Sequence, residues 1–357
     1  MTGQRVMRVA LIGFGTVGQG FAHILARSGD WYRRQFGLDL RIVAVSDLQR
    51  GSVHDPAGLD PAVLLERAGD LARVPAPVHG WDSLRTIRES NAEAVLEMTF
   101  TDLQTGEPGL SHARAALGSG KHLVTSNKGP VALHLPELQR LARDNGVMLG
   151  MEATVMSGTP TLALATEMLR GAMITRVEGI LNGTSNYILT EMGGGSPFGE
   201  ALRRAQELGY AEANPAADID GTDARAKAAI LANLLLDAPL TPDDVECTGI
   251  RDLTGRDIEE ARAAGQVWKL VAGVEAGRDG VRARVAPQRL PLSHPLASID
   301  GVTNAITFTT EYLGEVTLTG PGAGRLETGY AMVGDLLKIH RLGQRAAGDE
   351  LKEVSTA

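Results

Sequence analysis

An α/β fold, a doubly wound parallel sheet with an inserted α+β segment, is predicted by three features of this 357-residue chain. Up to residue 152, short apolar runs alternate with helical patterns. Residues 153–319 change texture to alternating, strand-like stretches around an Ala-rich helix. A last helical stretch, 327–341, follows Gly320-Pro321-Gly322-Ala323-Gly324 and reads as a return to the first unit. The expected division is 1–152 with 320–357 as one domain and 153–319 as another.

With 43% apolar and 22% charged residues, the chain can bury two ordinary cores. A net charge of −8, a pI near 5.6 and no basic cluster longer than a pair argue against nucleic acid or an anionic membrane as main partner. Small molecules are expected instead. The lone Cys247 excludes an intrachain disulfide and fits a reducing compartment, and residues 1–12 lack the apolar core and cleavage site of a signal peptide. No apolar run approaches the length of a membrane span, so the expectation is a soluble, cytoplasmic protein.

Residues 6–12 form a buried strand, and Gly13-Phe14-Gly15-Thr16-Val17-Gly18 follows at once, opening a helix to about residue 26. This order suits a dinucleotide. Gly13 allows the tight turn, Gly15 lets backbone approach a pyrophosphate, Gly18 lets helix pack on strand, and the helix N-terminus faces the anion. The sheet is therefore read as Rossmann-type. Strand 41–46 ends at Asp47, where an acid can bind an adenosine ribose. Its spacing of 29 residues from Gly18 exceeds the usual ~20, and residues 30–39 look like an insertion. Asp47 favours NAD, whereas Arg50 could face a 2′-phosphate, so NAD and NADP both stay open.

Residues 60–82 form an acidic, proline-bearing connection with a short helix, and strand 92–98 ends in Thr99-Phe100-Thr101. Helix 110–117, strand 122–125, loop Ser126-Asn127-Lys128-Gly129-Pro130, helix 135–144 and strand 147–152 complete the unit. Ligands sit beyond the carboxyl ends of such strands, which puts Thr99, Asn127 and Lys128 at the crevice. Next come a glycine-proline hinge over 153–160, a helix to 170, strand 175–181 and the polar turn Asn182-Gly183-Thr184-Ser185-Asn186. That turn suits a zwitterionic substrate, and equally helix capping by Thr184 or Ser185. After a flexible connection at 192–197 and the central helix, a helix over 257–269 leads to strands at 281–285, 302–309 and 314–319. These make one antiparallel sheet with 175–181 and helices on one face. A one-layer sheet exposes an apolar face unless a second copy covers it, so a homodimer is expected.

The densest chemistry lies in residues 209–227, Gly-Tyr-Ala-Glu-Ala-Asn-Pro-Ala-Ala-Asp-Ile-Asp-Gly-Thr-Asp-Ala-Arg-Ala-Lys. A helix is predicted over 222–237, with Asp220 or Thr222 as N-cap. At about 100° per residue, Asp223, Lys227, Ile230 and Leu234 share a face, while Arg225 lies opposite. A surface acid–lysine pair at this spacing contributes only about 0.2–0.5 kcal/mol. A partly buried lysine preceded by Glu212, Asp218 and Asp220 can instead hold or pass a proton. Lysine is also scarce, six against 29 arginines, and of the two only lysine can deprotonate in a protein. Lys121, Lys128, Lys227 and Lys269 are the candidates, since surface roles suffice for Lys338 and Lys352.

Five segments together resemble homoserine dehydrogenase, in order and spacing, over nearly the whole chain. They are Val124-Thr125-Ser126-Asn127-Lys128, Glu152-Ala153-Thr154-Val155, the run from Gly179 to Leu189, the run from Gly209 to Lys227, and Gly320 to Gly324. The resemblance implies NAD(P)-dependent interconversion of L-homoserine and L-aspartate 4-semialdehyde, a step toward threonine, methionine and isoleucine. It implies Lys227 as general acid–base at the C4 oxygen and Lys128 near the nicotinamide. Glu212 would bind the substrate's amino group, and Asp218 and Asp223 would orient substrate and Lys227. The cofactor-binding set is then Gly13, Gly15, Thr16, Val17, Gly18, Asp47, Arg50, Thr99, Lys128 and Gly324.

Only the resemblance implies a structural monovalent cation, usually sodium, held by Glu152 and the backbone oxygens of Val155, Ser157 and Thr159. Because the chain stops soon after the returning helix, no aspartate kinase partner, C-terminal regulatory domain or threonine feedback through one is expected. The long connection before Asp47 and the small residues at 193–197 depart from the family pattern. Two rivals are another NAD(P)-dependent amino-acid or semialdehyde dehydrogenase, with different substrate carboxylates, and a silent NAD(P)H-binding regulator that keeps the glycines but spares Lys227 and Asp223.

Overall fold

The computed structural model describes residues 5–355, with side chains to 344, which leaves Lys352 outside the described side chains. The chain forms two compact units: Met1–Pro130 with Glu137–Thr154 and Gly324–Ala357, and Val131–Pro136 with Val155–Ala323.

The first unit begins with β1 (Arg5–Ile12), α1 (Thr16–Phe36), β2 (Leu38–Asp47), β3 (Gly51–His54), α2 (Pro61–Glu66), β4 (Val78–His79) and α3 (Ser83–Glu89). It continues through β5 (Ala94–Glu97), α4 (Gly109–Gly118), β6 (His122–Thr125), α5 (Lys128–Asp144) and β7 (Leu149–Gly150). Its seven-stranded sheet has the order β4-β3-β2-β1-β5-β6-β7. The five strands from β2 to β7 run parallel, and the order reverses at β1, which makes the sheet doubly wound. An antiparallel edge, β3 and β4, was not legible in the 60–82 region or just before it. Four- and two-residue strands carry too little alternation to stand out.

Several expected boundaries move. Residues 30–36 continue α1 instead of forming an insertion, with the Trp31, Tyr32 and Phe36 rings packed at 5.2–6.3 Å and Gly37 closing the helix. The long spacing to Asp47 is therefore helix length. Lys128 opens α5 and does not lie in a loop, because Asn127 Oδ1 accepts from Gly129 N at 3.0 Å as the N-cap. Pro136, and the non-helical backbone at His134, split that helix and hid its first turn. Strand 147–152 shrinks to two residues, followed by a 3₁₀ turn, Glu152–Thr154.

The second unit contains α6 (Thr161–Ala163), β8 (Ile174–Ile180), α7 (Gly183–Gly193), α8 (Phe198–Glu207), α9 (Ala216–Ile219) and α10 (Thr222–Leu235). After it come β9 (Glu246–Cys247), α11 (Gly255–Ala263), β10 (Gln266–Gly277), β11 (Gly280–Pro291), β12 (Thr303–Thr310) and β13 (Gly314–Pro321). The sheet order is β13-β12-β8-β10-β11-β9, antiparallel except where β9 meets β11. The helix expected over 257–269 ends at Ala263, and Lys269 lies on β10. Helices α7 and α10 pack on the sheet.

The last helix, α12 (Arg325–Ser355), packs against α1 in the first unit. Two glycines permit the contact: a Cβ on Gly20 would stand 2.0 Å from Arg325 O, and one on Gly329 would stand 2.7 Å from Phe21 N. Among the described residues, no helix is long and apolar enough to cross a membrane.

Candidate active site

The glycine loop between β1 and α1 has the form a pyrophosphate needs. Gly13 holds φ 93°, and a Cβ there would stand 2.7 Å from Met98 O, so the loop lies against the end of β5. On Gly18 a Cβ would stand 2.6 Å from Gly13 O, which would push helix off loop, whereas at Gly15 nothing lies within 4 Å. That open side is where a phosphate can approach backbone. No side chain caps α1 and no acid occupies its first turn, where Thr16 and Val17 sit. Its N–H dipoles thus face outward toward an anion. The residues fit a dinucleotide.

Asp47 closes this cradle at the end of β2. Its Oδ2 accepts from Phe14 N at 2.7 Å, and its Oδ1 accepts from Gln49 N and Arg50 N at 3.0 Å. Burial works against its charge, but these three N–H groups and the Arg50 guanidinium hold the carboxyl below its ordinary range. Arg50 Nη1 lies 3.3 Å from Asp47 Oδ1, so the guanidinium is engaged by that carboxylate.

Thr99 is held by a residue that sequence reasoning missed. Glu97, fully buried at the end of β5, accepts from Thr99 N at 3.2 Å, from the Thr99 hydroxyl and from Thr125 Oγ1 at 3.3 Å, and faces His112 Nδ1 at 3.4 Å. Asn127 Nδ2 adds a bond to Phe100 O at 2.9 Å. An acid closing the apolar run Ala94-Val95-Leu96 was the only signal for it. Lys128 is half-buried in the first turn of α5, and Gly324, at φ 146°, immediately precedes α12.

In the second unit, the predicted lysine cluster forms. Lys227 Nζ donates to Asp223 Oδ2 at 2.7 Å and to Leu181 O at 2.6 Å, and the lysine is 7% exposed. The Ala-rich sequence of α10 explains both its helicity and its burial, since small side chains let it lie close to β10 and β11. Neither Asp220 nor Thr222 caps it. Gly221, at φ 80°, takes that place, and a Cβ there would stand 3.1 Å from Cys247 Sγ. Asp223 sits in the first turn, where the helix dipole favours a negative charge.

Asp218, on α9, joins the cluster through Asn182, whose Nδ2 donates to Asp218 Oδ1 at 2.6 Å and to Asp223 Oδ2 at 3.1 Å. Burial pushes the Asp218 carboxyl up, the Asn182 bond pulls it back, and Asp223 raises it again, against Thr184 and Lys227. Asp220 does not take part, because Arg251 holds it with two bonds of 3.0 and 3.1 Å. Glu212 is exposed in the loop before α9, a loop tied to α7 by Thr184 Oγ1 donating to Tyr210 O at 2.7 Å. The cap of α7 is Asn182, not Thr184 or Ser185.

Of the other lysines, Lys121 Nζ donates to Ser90 O at 2.6 Å and Lys269 Nζ to Asp300 Oδ1 at 3.0 Å. Burial lowers both. Each is committed to holding a loop.

Around the hinge, Glu152 N donates to Asp335 Oδ2 at 3.0 Å, Val155 is fully buried, and Met156 and Ser157 both have left-handed backbones, φ 58° and 52°. Thr159 N donates to Met156 O at 3.0 Å and Thr159 Oγ1 to Pro321 O at 3.0 Å. Among the described residues, no group of three or more His, Cys, Asp or Glu side chains is placed to hold a metal ion.

Comparison with known proteins gives one consistent result. A family model for homoserine dehydrogenase matches residues 160–337, and one for the homoserine dehydrogenase NAD binding domain matches 13–152. An NAD(+)-dependent homoserine dehydrogenase of Pseudomonas canavaninivorans is 47% identical over 342 residues, 95% of this chain and 97% of that protein. Homoserine dehydrogenase of Methanocaldococcus jannaschii is 36% identical over 94% of this chain and 98% of its own length. Among solved structures, homoserine dehydrogenase from Thiobacillus denitrificans superposes with a TM-score of 0.84 at 32% identity, covering 97% of this chain and 75% of that one. A hyperthermophilic archaeal homoserine dehydrogenase mutant in complex with NADPH gives 0.80 at 31% identity, covering 94% and 98%.

Proposed function

The chain belongs to the homoserine dehydrogenase family, and from that premise we propose that Lys227 exchanges a proton with the C4 oxygen as L-homoserine and L-aspartate 4-semialdehyde interconvert. The observation that carries this reading is the buried ammonium held between Asp223 and the Leu181 carbonyl. Two acceptors fix its direction, and an ammonium can both polarise a carbonyl and protonate the resulting alkoxide. A nicotinamide cofactor held by the glycine loop and Asp47 would supply or accept the hydride at C4. Glu212, exposed on its loop, is suited to the substrate's ammonium, while Asp218 and Asp223 orient substrate and lysine. Lys128 and Thr99 are proposed to border the cofactor.

For the cofactor itself, Asp47 supports NAD over NADP. Its carboxylate is held ionised where an adenosine 2′-phosphate would bring like charge, and its pairing with Arg50 leaves that guanidinium engaged. The NAD(+)-dependent relative points the same way.

A monovalent cation is proposed on Glu152 and the backbone oxygens of Val155, Ser157 and Thr159. One carboxylate with neutral carbonyls matches a single positive charge of hard character, and paired left-handed residues cost on the order of 1 kcal/mol or more each unless something holds them. A homodimer is proposed through the exposed edge strand β13 and its turn, where Tyr312 and Leu313 stand 72% and 60% exposed beside Met173. The single cysteine supports a reducing compartment, the cytoplasm.

The test is steady-state homoserine oxidation. Lys227→Ala should lose about 10²–10⁴-fold in kcat with the KM for NAD little changed, because the cradle lies in the other unit. Turnover near the parent rate would remove Lys227 from the chemistry.

A further inference from the structure

Asn182 has one side chain and two tasks. It follows β8 and Leu181, and its amide oxygen accepts from Ser185 N at 2.8 Å, which caps α7. The other end of the amide faces the carboxylates, donating at 2.6 Å to Asp218 and at 3.1 Å to Asp223. Those acids come from separate elements, α9 and α10, and Asp223 is the same carboxylate, through the same oxygen, that receives the Lys227 ammonium. Leu181 O, one residue earlier, accepts a second hydrogen bond from the Lys227 ammonium. Two consecutive residues therefore govern where the ammonium points, one by its carbonyl and one through Asp223.

We propose that Asn182 is a positioning residue for proton transfer, its amide bridging Asp218 and Asp223 so that Asp223 keeps the Lys227 ammonium in one orientation. This rests on the reading of Lys227 as general acid–base. The chemistry narrows the choice of residue. A bridge between two carboxylates needs two donor protons and no charge of its own. A hydroxyl has only one proton, an ammonium would compete with Lys227 for Asp223, and a third carboxylate would add repulsion. An amide meets all three conditions, and its oxygen is left over for the helix cap.

The groups facing Asp218 are Asn182, the cap of α7, Thr184 from its first turn, and Asp223 and Lys227 from α10. Without the amide, burial and the charge of Asp223 are opposed only by Thr184 and Lys227. Asp218 then takes up its proton at higher pH, and Asp223 loses one of the donors that hold it.

Asn182→Ser separates the two tasks, since a serine oxygen still caps α7 but its single proton cannot bridge both acids. Asn182→Asp is the second variant, which also caps while adding a third negative charge. Each is assayed for homoserine oxidation across pH, with KM for both substrates and a thermal melt, beside the parent protein and Lys227→Ala. The expected result is a kcat about 10-fold or more below the parent at neutral pH. The acidic limb of kcat/KM for homoserine should move to higher pH, further in Asn182→Asp, with the KM for NAD and the melting temperature little changed. Parent-like kcat and pH profile in both variants, with Lys227→Ala inactive, would overturn the proposal alone. So would a loss of kcat that follows a fall in melting temperature with the limb unmoved, which would leave Asn182 only its cap. Retained turnover in Lys227→Ala would overturn this proposal together with the reading it rests on.

Discussion

At the scale of single residues, the same side-chain type takes opposite electrostatic roles in the two units. Asp47 and Asp218 are both shielded from water. Asp47 is surrounded by donors and stays ionised, whereas Asp218 has burial and a neighbouring acid pushing its proton on. For Asp47 the folded value lies below the unfolded one. Its contribution to stability is therefore present above the unfolded value and lost as pH falls through the folded one. Asp47→Ala should remove that contribution at neutral pH and flatten the acid side of the stability curve. The same substitution should lower the ratio of kcat/KM for NAD over NADP by about 10-fold or more. A ratio equal to the parent's, measured with both cofactors side by side, would show that the carboxylate does not discriminate. Asp47 was legible because a strand end fixes its place, and Lys227 because helical spacing puts it among apolar neighbours. The bridging role of Asn182 was not, because its two acids lie 36 and 41 residues away, nor was Glu97, which also meets His112 and Thr125, 15 and 28 residues on.

Among elements, the hinge segment and the helix starts show how local chemistry sets geometry. The caps of α5 and α7 are both Asn residues that end a strand's approach and start a helix within two residues. Helix α10 instead begins on a left-handed glycine, so its first turn can carry Asp223 unhindered by a capping side chain. In the hinge, Met156 and Ser157 are held in a conformation that ordinary side chains avoid. If a cation stabilises that turn, replacing choline chloride by sodium chloride at equal ionic strength should raise the melting temperature. Glu152→Gln should abolish the difference. Equal melting temperatures for the parent in the two salts would rule the cation out as a structural part.

For the molecule as a whole, the sheet of the second unit ends in a strand with five of its eight residues exposed, β13, beside a turn bearing Tyr312 and Leu313. Such an edge is a site for pairing or aggregation unless covered. Sedimentation equilibrium should give twice the 37.7 kDa chain mass, and Leu313→Glu should shift it toward the monomer. A parent protein that sediments as a monomer at micromolar concentration would dispose of the dimer.

Features that depend on near neighbours along the chain could be read from the residues alone. They include the strand-glycine-helix order of the cradle, the acid at the end of β2, the i,i+4 pairing of Asp223 with Lys227, and a second sheet inserted before a returning helix. Tertiary structure alone decided which groups meet across long loops. It took Asp220 away to Arg251, brought Asp218 and Asp223 onto Asn182, and set Thr125 and His112 against the buried Glu97. Periodicity and capping act over a few residues and leave a mark in local composition. Contacts between α7, α9 and α10 form only when packing on a common sheet closes the chain over dozens of residues, and no local pattern records that closure.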